Sequence, residues 1–591
     1  MDKVNQLVQW AKERWAVIPE SVVFVEVAPG NFGAEASKTD SIRLSVPIET
    51  IVKLSDAAAA FKKPRNINAF AKLYLAHQRA PQNLENSPFR EYIASLPSAA
   101  AINSPYVWLP EDLALLAGTN LGNSLRENVA ALVEEWWLVL SVLPEAVPKS
   151  QKHYLNMKFY YEYKFYEAQQ LHEYVLDDLH DNWTSFPAYL WALMIYKSRS
   201  FPSKLLAACG SVDALNFVQD DVAILIPVVD LLNHSPRAQV TWGVAEGHFV
   251  FEATGHAGGQ LFNNYGRKGN EELLLAYGFC LADNSADTVA LKIKVPVELL
   301  PQLELHGIVL PKISDYSNSV VNEGKISEEV GKLSLLPYDE YKDGLLFFLG
   351  RDTIPEALVG VFQWLVKTRW EDKLTLRMRL SGLNHLRQAL ESKALLLDTS
   401  KVAGSRNSEA TSVYLAGQNR ILRAAVTLVK RREKELLSEH KSRVLSLKSV
   451  YKKDAKFARS FLVTMGVACY ENIVAQELTD QMWLMYLIRC YNKDQYAEDA
   501  ETRLPLWIYE CFVRMNRETD ITAHEVVQFR ELYEGLVIPM KQVVPEIYNV
   551  GKWTVRELVV SAKLLDTIGF VRGKSQECFL VDDFTKSADL V

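Results

Sequence analysis

The segment from Val222 to Phe279 constrains this chain more than any other, because it sets two polar motifs at the ends of apolar strands about thirty residues apart. The run Val222-Ala-Ile-Leu-Ile-Pro-Val-Val229 reads as a buried strand, and Asp230-Leu-Leu-Asn-His-Ser235 follows it directly. Asp230 to His234 therefore fall where a strand ends and the backbone turns, so that Asn233 and His234 can offer an amide, an imidazole and freed main-chain groups to a polar ligand. The second motif, Asn263-Asn-Tyr-Gly-Arg-Lys-Gly-Asn-Glu-Glu-Leu-Leu-Leu-Ala-Tyr-Gly-Phe279, follows a turn at Gly258-Gly259 and a short strand over Gln260–Asn264. It delivers Tyr265 at a strand end, ahead of a helix that starts at Asn270, where a phenol can point into a pocket. Taken singly, D-x-x-N-H is a turn or cap pattern and N-Y-G is a turn. Order, spacing and flanks carry the functional reading.

The rest of the chain is organised around this segment. Its 591 residues, 49% of them hydrophobic, suffice for several domains and an ample core. A net charge of -7 does not suggest a dedicated nucleic-acid binder, and any basic patch must be local. Such a run begins at Lys430-Arg-Arg-Glu-Lys434 and continues through Lys441, Arg443, Lys448, Lys452, Lys453 and Lys456. Six cysteines (Cys209, Cys280, Cys469, Cys490, Cys511, Cys578) form no C-x-C or C-x-x-C pair, so neither a metal site nor a disulfide frame is expected. There is no basic-then-apolar leader and no apolar run of transmembrane length, which leads us to expect a cytoplasmic or nuclear protein without a membrane partner.

Periodicity predicts a helix over Met1–Trp15, strands over Val22–Val27 and Ile42–Val46, and helices from Asn68 to Leu176. It predicts strands again to about residue 283, with a hairpin over Ala238–Ala253 turning at Gly247, and a strand near Val289–Val295. Long amphipathic helices are expected over Leu374–Leu397 and Tyr414–Leu447, separated by a polar loop at Asp398–Ser412. Beyond residue 500 come helical runs and two short strands, Phe570–Arg572 and Cys578–Val581.

Read together, the two motifs resemble the SET-domain protein lysine methyltransferases, in the branch of the plant Rubisco large-subunit methyltransferase and the yeast ribosomal-protein lysine methyltransferases. Ser87–Pro97 and Trp108–Leu121 look like the helical insert that splits the SET domain in this branch. Trp191–Phe201 is similar to the helix carrying its Ser-Arg pair, and Tyr414–Leu422 resembles the start of a helix in its C-terminal substrate-binding domain. The opening helix Val4–Ala11 and the segment Gly30–Pro47 are similar to the yeast ribosomal enzymes. One stretch departs from the pattern: where the branch has a Gly-x-Gly turn, this chain reads Pro29-Gly-Asn-Phe-Gly-Ala34, with the glycines one residue further apart.

The resemblance implies an α+β fold: a β-rich SET domain split by a helical insert and followed by a mostly helical substrate-binding domain. It divides the chain into an N-terminal helix and first SET half (1–67), the insert (68–179), the second SET half (180–283), a helical substrate-binding domain (284–500) and an extension (501–591). It implies S-adenosyl-L-methionine (AdoMet) as methyl donor, no metal, and a protein substrate, with a 60S ribosomal protein preferred and no direct sequence-specific nucleic-acid binding. Elongation factor 1-alpha, cytochrome c or a histidine target are alternative acceptors. Tyr265 carries over as the residue at the methyl-transfer passage and Tyr277 as the second aromatic of the lysine channel. Gly30, Asn31, Phe32, Arg199, Asn233, His234 and Tyr265 carry over as cofactor-binding, and Arg199, Asp230 and Tyr277 as substrate-binding. The altered glycine turn keeps open a different class, a degenerate SET protein that docks a partner without transferring methyl groups.

Overall fold

The structure, a computed structural model, describes residues 1–28, 30–62, 67–147, 182–209, 223–311, 341–397, 407–496, 504–572 and 577–582, with a few isolated positions between them. Pro29, Val222, residues 159–181 at the end of the expected insert and residues 398–406 of the polar loop lie outside the described residues. The chain divides into two compact units.

The first unit comprises Met1–Lys294, Pro311–Arg351 and Lys393–Ile421. Its β-structure is a set of small antiparallel sheets. Val22–Ala28 pairs with Asn31–Ala36, which pairs in turn with Gly259–Leu261. Thr39–Pro47 pairs with His248–His256, and that strand forms the expected hairpin with Gln239–Ala245. The hairpin turns through Glu246 and Gly247, both at positive φ (51° and 76°), as a two-residue turn between right-twisted strands requires. Alternation puts Phe249 and Phe251 fully inside. Val289–Ile293, expected as a strand, pairs with Leu345–Leu349.

Helices Ile67–Arg79, Asn120–Ser141 and Phe186–Arg199 are the longest of several helices in Met1–Lys294. They bury Trp136, Tyr189 and Trp191. Burying Glu135 among them is tolerable because Lys72 and the Tyr189 hydroxyl both donate to its carboxylate.

The strand expected over Val222–Val229 is shorter, Ala223–Leu225, and pairs with Ser200–Pro202. Pro227 has no N–H to continue a ladder. Beyond it Val228 takes φ 71° and ψ -50°, and the Val229 amide donates to the Pro227 carbonyl at 2.8 Å. This is a γ-turn of the strained hand, costing about 1–3 kcal/mol in a β-branched residue. Complete burial of Val228 and Val229 holds it there, and it swings the chain so that Asp230 leaves the strand direction.

The second unit comprises Val295–Leu310, Asp352–Ser392 and Leu422–Val591. It is largely helical, around a core that includes Met482, Trp483, Met485, Phe512, Tyr548 and Leu558. Asp454 caps the helix Ala455–Met465 by accepting from the Phe457 amide at 3.0 Å, and it pairs with buried Arg489 at 2.7 Å. The amphipathic stretch expected over Tyr414–Leu447 ends earlier, as the helix Ser408–Glu439. Val444–Ser446 instead joins Glu577–Val581, which also pairs with Gly569–Arg572, in a three-stranded antiparallel sheet. Sheet partners from the far end of the chain override the local helical periodicity.

Gly278 closes the helix Asn270–Tyr277 in the left-handed region, φ 76°, and an added Cβ there lies 2.4 Å from the Ile102 carbonyl oxygen. Gly278→Ala is therefore expected to cost about 2 kcal/mol or more of stability, read as a lower midpoint of the first unfolding transition in urea. An unchanged midpoint contradicts the packing described.

Candidate active site

The two motifs meet through their backbones. The Asn263 amide donates to the Asn233 carbonyl at 2.8 Å, and the Ser235 amide donates to the Asn263 carbonyl at 2.9 Å, a parallel bridge of His234 with Asn263. Asn263 is buried, and its Oδ1 accepts from the Trp242 indole at 3.1 Å and from the Asn264 amide at 2.8 Å. A buried side chain that closes on both its neighbours and a core indole fixes where the second motif crosses the first.

Beyond the crossing the aromatic groups form a stack. The Tyr265 amide donates to His234 Nδ1 at 3.1 Å, and the Tyr265 hydroxyl donates to the Leu232 carbonyl at 2.9 Å. The His234 and Tyr265 rings lie 4.9 Å apart and 17° from parallel; Tyr265 and Tyr277 lie 4.9 Å apart at 19°. Phe279 meets Tyr277 edge-on at 6.1 Å. Burial pushes both phenols up, so they stay protonated and available as donors at neutral pH, and burial lowers the His234 pKa. The ring is thus neutral at pH 7, as an Nδ1 acceptor must be.

Arg199 ends the helix Phe186–Arg199 and donates from Nη1 to the Asp230 carbonyl at 3.0 Å, with the Asp230 carboxylate 3.5 Å away. Tyr92 donates its hydroxyl to Asp230 Oδ2 at 2.8 Å. The Asp230 side chain is fully buried, and its Oδ1 has no partner among the described residues. Burial raises the Asp230 pKa against the pull of Arg199. Tyr92 was not singled out from sequence. Nothing in the sequence pattern ties a tyrosine of one helix to an aspartate 138 residues away.

The glycine stretch forms a tight hairpin. Gly30 turns at φ 75°, and its amide donates to the Glu26 carboxylate at 2.7 Å. Asn31 opens the next strand, and the Phe32 carbonyl accepts from the Asn233 side-chain amide at 3.3 Å. At Gly33 a Cβ would lie 2.8 Å from Gln260 Nε2 and 3.0 Å from Asn233 Nδ2, whereas nothing lies within 4 Å of one at Gly30. The position requiring close approach is Gly33, which was not among the expected site residues.

The helix that carries Tyr277 is anchored at its start. Its Asn270 amide donates to Asp287 Oδ1 at 2.9 Å, and the Asn270 side chain bonds both ways with Leu281 at 3.0 Å. The Tyr414 hydroxyl donates to Glu271 Oε2 at 2.6 Å, and Gly417 sits close enough to Asp287 that a Cβ would meet its carboxylate at 2.5 Å. The sequence marked Tyr414 only as the start of a helix. Among the described residues no group of His, Cys, Asp and Glu is placed to hold a metal ion.

With this geometry in view, comparison with known proteins places the chain. A family model described as the EFM1 middle domain matches residues 288–440. Ribosomal lysine N-methyltransferase 1 of Saccharomyces cerevisiae is 31% identical over 561 residues, covering 90% of this chain and 93% of that protein. Protein-lysine N-methyltransferase EFM1 of the same yeast is 25% identical over 604 residues, covering 97% of each. Among solved structures, the SET domain of LSMT bound to methyllysine and AdoHcy aligns over 80% of this chain and 99% of its own, at 16% identity and TM-score 0.48. The chain belongs to the SET-domain protein-lysine methyltransferases, in the branch that includes the ribosomal lysine N-methyltransferases. It is an α+β protein-lysine N-methyltransferase that acts on a protein substrate.

The lowered His234 pKa fixes a pH dependence. Between the folded pKa and the ordinary value near 6.5 the unfolded chain binds the extra proton, so stability is complete above about 6.5 and falls as pH drops below it. Melting temperature is expected to drop between pH 7.5 and 5.5, and His234→Asn should shrink that drop. An identical drop in the variant contradicts the neutral-acceptor role.

Proposed function

We propose that methyl transfer occurs beside the His234–Tyr265–Tyr277 stack, with Tyr265 at the passage and Tyr277 lining the lysine channel. The observation that carries this reading is that both phenols stay protonated, lie parallel, and are fixed in place by main-chain hydrogen bonds and an anchored helix. Transfer from a sulfonium to an amine is an in-line displacement, so a rate gain comes from holding acceptor and donor close and aligned. Entering a low-dielectric channel disfavours the lysine ammonium and favours the neutral amine that attacks. The Tyr265 hydroxyl, on giving up Leu232, is within the stack to orient that nitrogen.

The site fits AdoMet, which supplies the electrophilic methyl group. The Gly33 approach, which a Cβ would fill, leaves main-chain groups of Gly30, Asn31 and Phe32 at the cofactor side together with Asn233 and His234. The unused donors of the Arg199 fork suit a carboxylate of the cofactor or substrate, with buried Asp230 holding the fork in place. Residues 1–67, 68–179 and 180–283 then make the split SET domain and its insert, 284–500 the substrate-binding domain, and 501–591 an extension.

For the acceptor we favour a 60S ribosomal protein, in the cytoplasm or nucleus. The likeness to ribosomal lysine N-methyltransferase 1 supports it. The likeness to EFM1 supports another protein acceptor as second reading, with elongation factor 1-alpha the candidate we weigh against it.

The test is mass spectrometry of ribosomal proteins from cells lacking this protein, after incubation with AdoMet and either the intact chain or Tyr265→Phe. A methyl mass gain on a large-subunit lysine is expected, reduced about a hundredfold in initial rate by the substitution. A gain equal in both contradicts the role of Tyr265. A gain only on a non-ribosomal protein overturns the acceptor assignment.

A further inference from the structure

Two buried tyrosines of the first unit donate their hydroxyls to buried carboxylates that a cation backs: Tyr189 to Glu135, beside Lys72, and Tyr92 to Asp230, beside Arg199. The first group ties helices together and shares no residue with the aromatic stack. The second stands where the first motif begins. The Asp230 carbonyl accepts from Arg199 at 3.0 Å, and two residues on the Leu232 carbonyl accepts from the Tyr265 hydroxyl at 2.9 Å. Arg199 and Tyr265 thus both lean on the short segment Asp230–Leu232, and Tyr92 holds its first member.

Tyr92 is itself held from behind. It lies buried on the short helix Arg90–Ser95, whose Ser95 hydroxyl donates to the Tyr92 carbonyl at 2.6 Å. Just past that helix the Pro97 carbonyl accepts from the Trp191 indole at 2.8 Å, and Trp191 belongs to the helix that ends in Arg199. The contacts therefore close on themselves: Arg199 to Asp230, Asp230 to Tyr92, and the segment carrying Tyr92 back to the helix carrying Arg199. In such a closed network the place of the phenol sets the carboxylate, and the carboxylate sets the guanidinium. Asp230 Oδ1 is buried without a hydrogen-bond partner among the described residues, so the Tyr92 hydroxyl and Arg199 are the side-chain groups that compensate the burial of this charge.

We propose that Tyr92 is a positioning residue for methyl transfer, holding the Asp230 carboxylate so that the Arg199 fork stays aimed at the carboxylate of AdoMet. The inference rests on the reading of Arg199 as a cofactor-binding residue. Tyr92 touches no reactant; it acts through Asp230 and then through Arg199. Burial already pushes the Asp230 carboxyl up, against the pull of Arg199 and of the Tyr92 hydrogen bond. Without the phenol hydroxyl one of the two supports of its charge is gone, and the acid takes up a proton at higher pH. A protonated Asp230 loses its ion pair with Arg199, whose fork is then held by the Asp230 carbonyl alone and is freer to turn. The other titratable groups facing Tyr92 and Asp230 are the phenols of Tyr196 and Tyr265, both kept protonated by burial.

The test uses the full chain, with AdoMet affinity measured by calorimetric titration between pH 6 and 8.5. Tyr92→Phe keeps the ring and removes the hydroxyl. Relative to the intact chain it should bind AdoMet within about threefold at pH 8.5 and at least about tenfold more weakly at pH 6, because losing a hydrogen bond to a charged group moves the acid limb up by about one to two pH units. Tyr189→Phe, the matched loss of a hydroxyl from a buried carboxylate, should follow the intact chain at every pH. Asp230→Asn should bind weakly throughout, and adding Tyr92→Phe to it should cost no more than about twofold further, since the route through the carboxylate is already cut. Unchanged affinity in Tyr92→Phe, a loss that is equal at every pH, or losses that multiply with Asp230→Asn would leave the hydroxyl a packing group and overturn the inference. Arg199→Ala separates this failure from that of the reading it rests on. If Arg199→Ala binds AdoMet as the intact chain does, the cofactor role of Arg199 falls and the inference with it; if it binds weakly while Tyr92→Phe follows the intact chain, only the positioning role falls.

Discussion

The site depends on the two backbone hydrogen bonds that tie Asn233 and Ser235 to Asn263. They turn two separate loops into one crossing, and the positions of the functional groups follow from it. Once Asn263 is held between Asn233 and Ser235, Tyr265 emerges two residues later with its amide facing His234 Nδ1 and its ring against the imidazole. A shift of one residue at the crossing reverses the faces on which His234 and Tyr265 fall. The strained turn at Val228 serves the same end, because it aims the first motif across the second.

Neutrality is the second theme. His234 is held uncharged by burial, the two tyrosines are held protonated, and Asp230 is buried with one oxygen unpartnered beside a single arginine. In the methyl-transfer reading proposed above, the uncharged His234, Tyr265 and Tyr277 add no charge of their own against the sulfonium of the donor, whose field favours the neutral form of an approaching lysine. Arg199 is the exception, and its engagement with both the main chain and the carboxylate of Asp230 keeps it oriented.

Much of this was legible in the sequence for physical reasons that can be named. Strand ends betray themselves by an apolar run stopping at polar residues, which located Asp230 to His234 and Tyr265. Gly247 announced the hairpin turn, because glycine takes positive φ without a steric cost, whereas the positive φ of Glu246 was not legible. What stayed hidden depends on contacts between distant segments. Asn263 was given no role of its own in the second motif, and its part as the crossing residue shows only once Trp242 and the first motif close on it. Gly33 was passed over in favour of Gly30, because the close approach of Gln260 and Asn233 to it depends on segments distant in sequence. The sheet strand at Val444–Ser446 was masked by helical periodicity, since its partners lie more than a hundred residues onward.

The central claim is that this crossing builds a cofactor cradle and not merely a stable corner. Calorimetric titration of AdoMet into the intact chain and into Gly33→Val tests it most directly. The account predicts saturable binding by the intact chain and at least a tenfold weaker association in the variant, with melting temperature less affected. Equal affinity in both contradicts the cradle, and no binding to the intact chain contradicts the enzyme reading of this site.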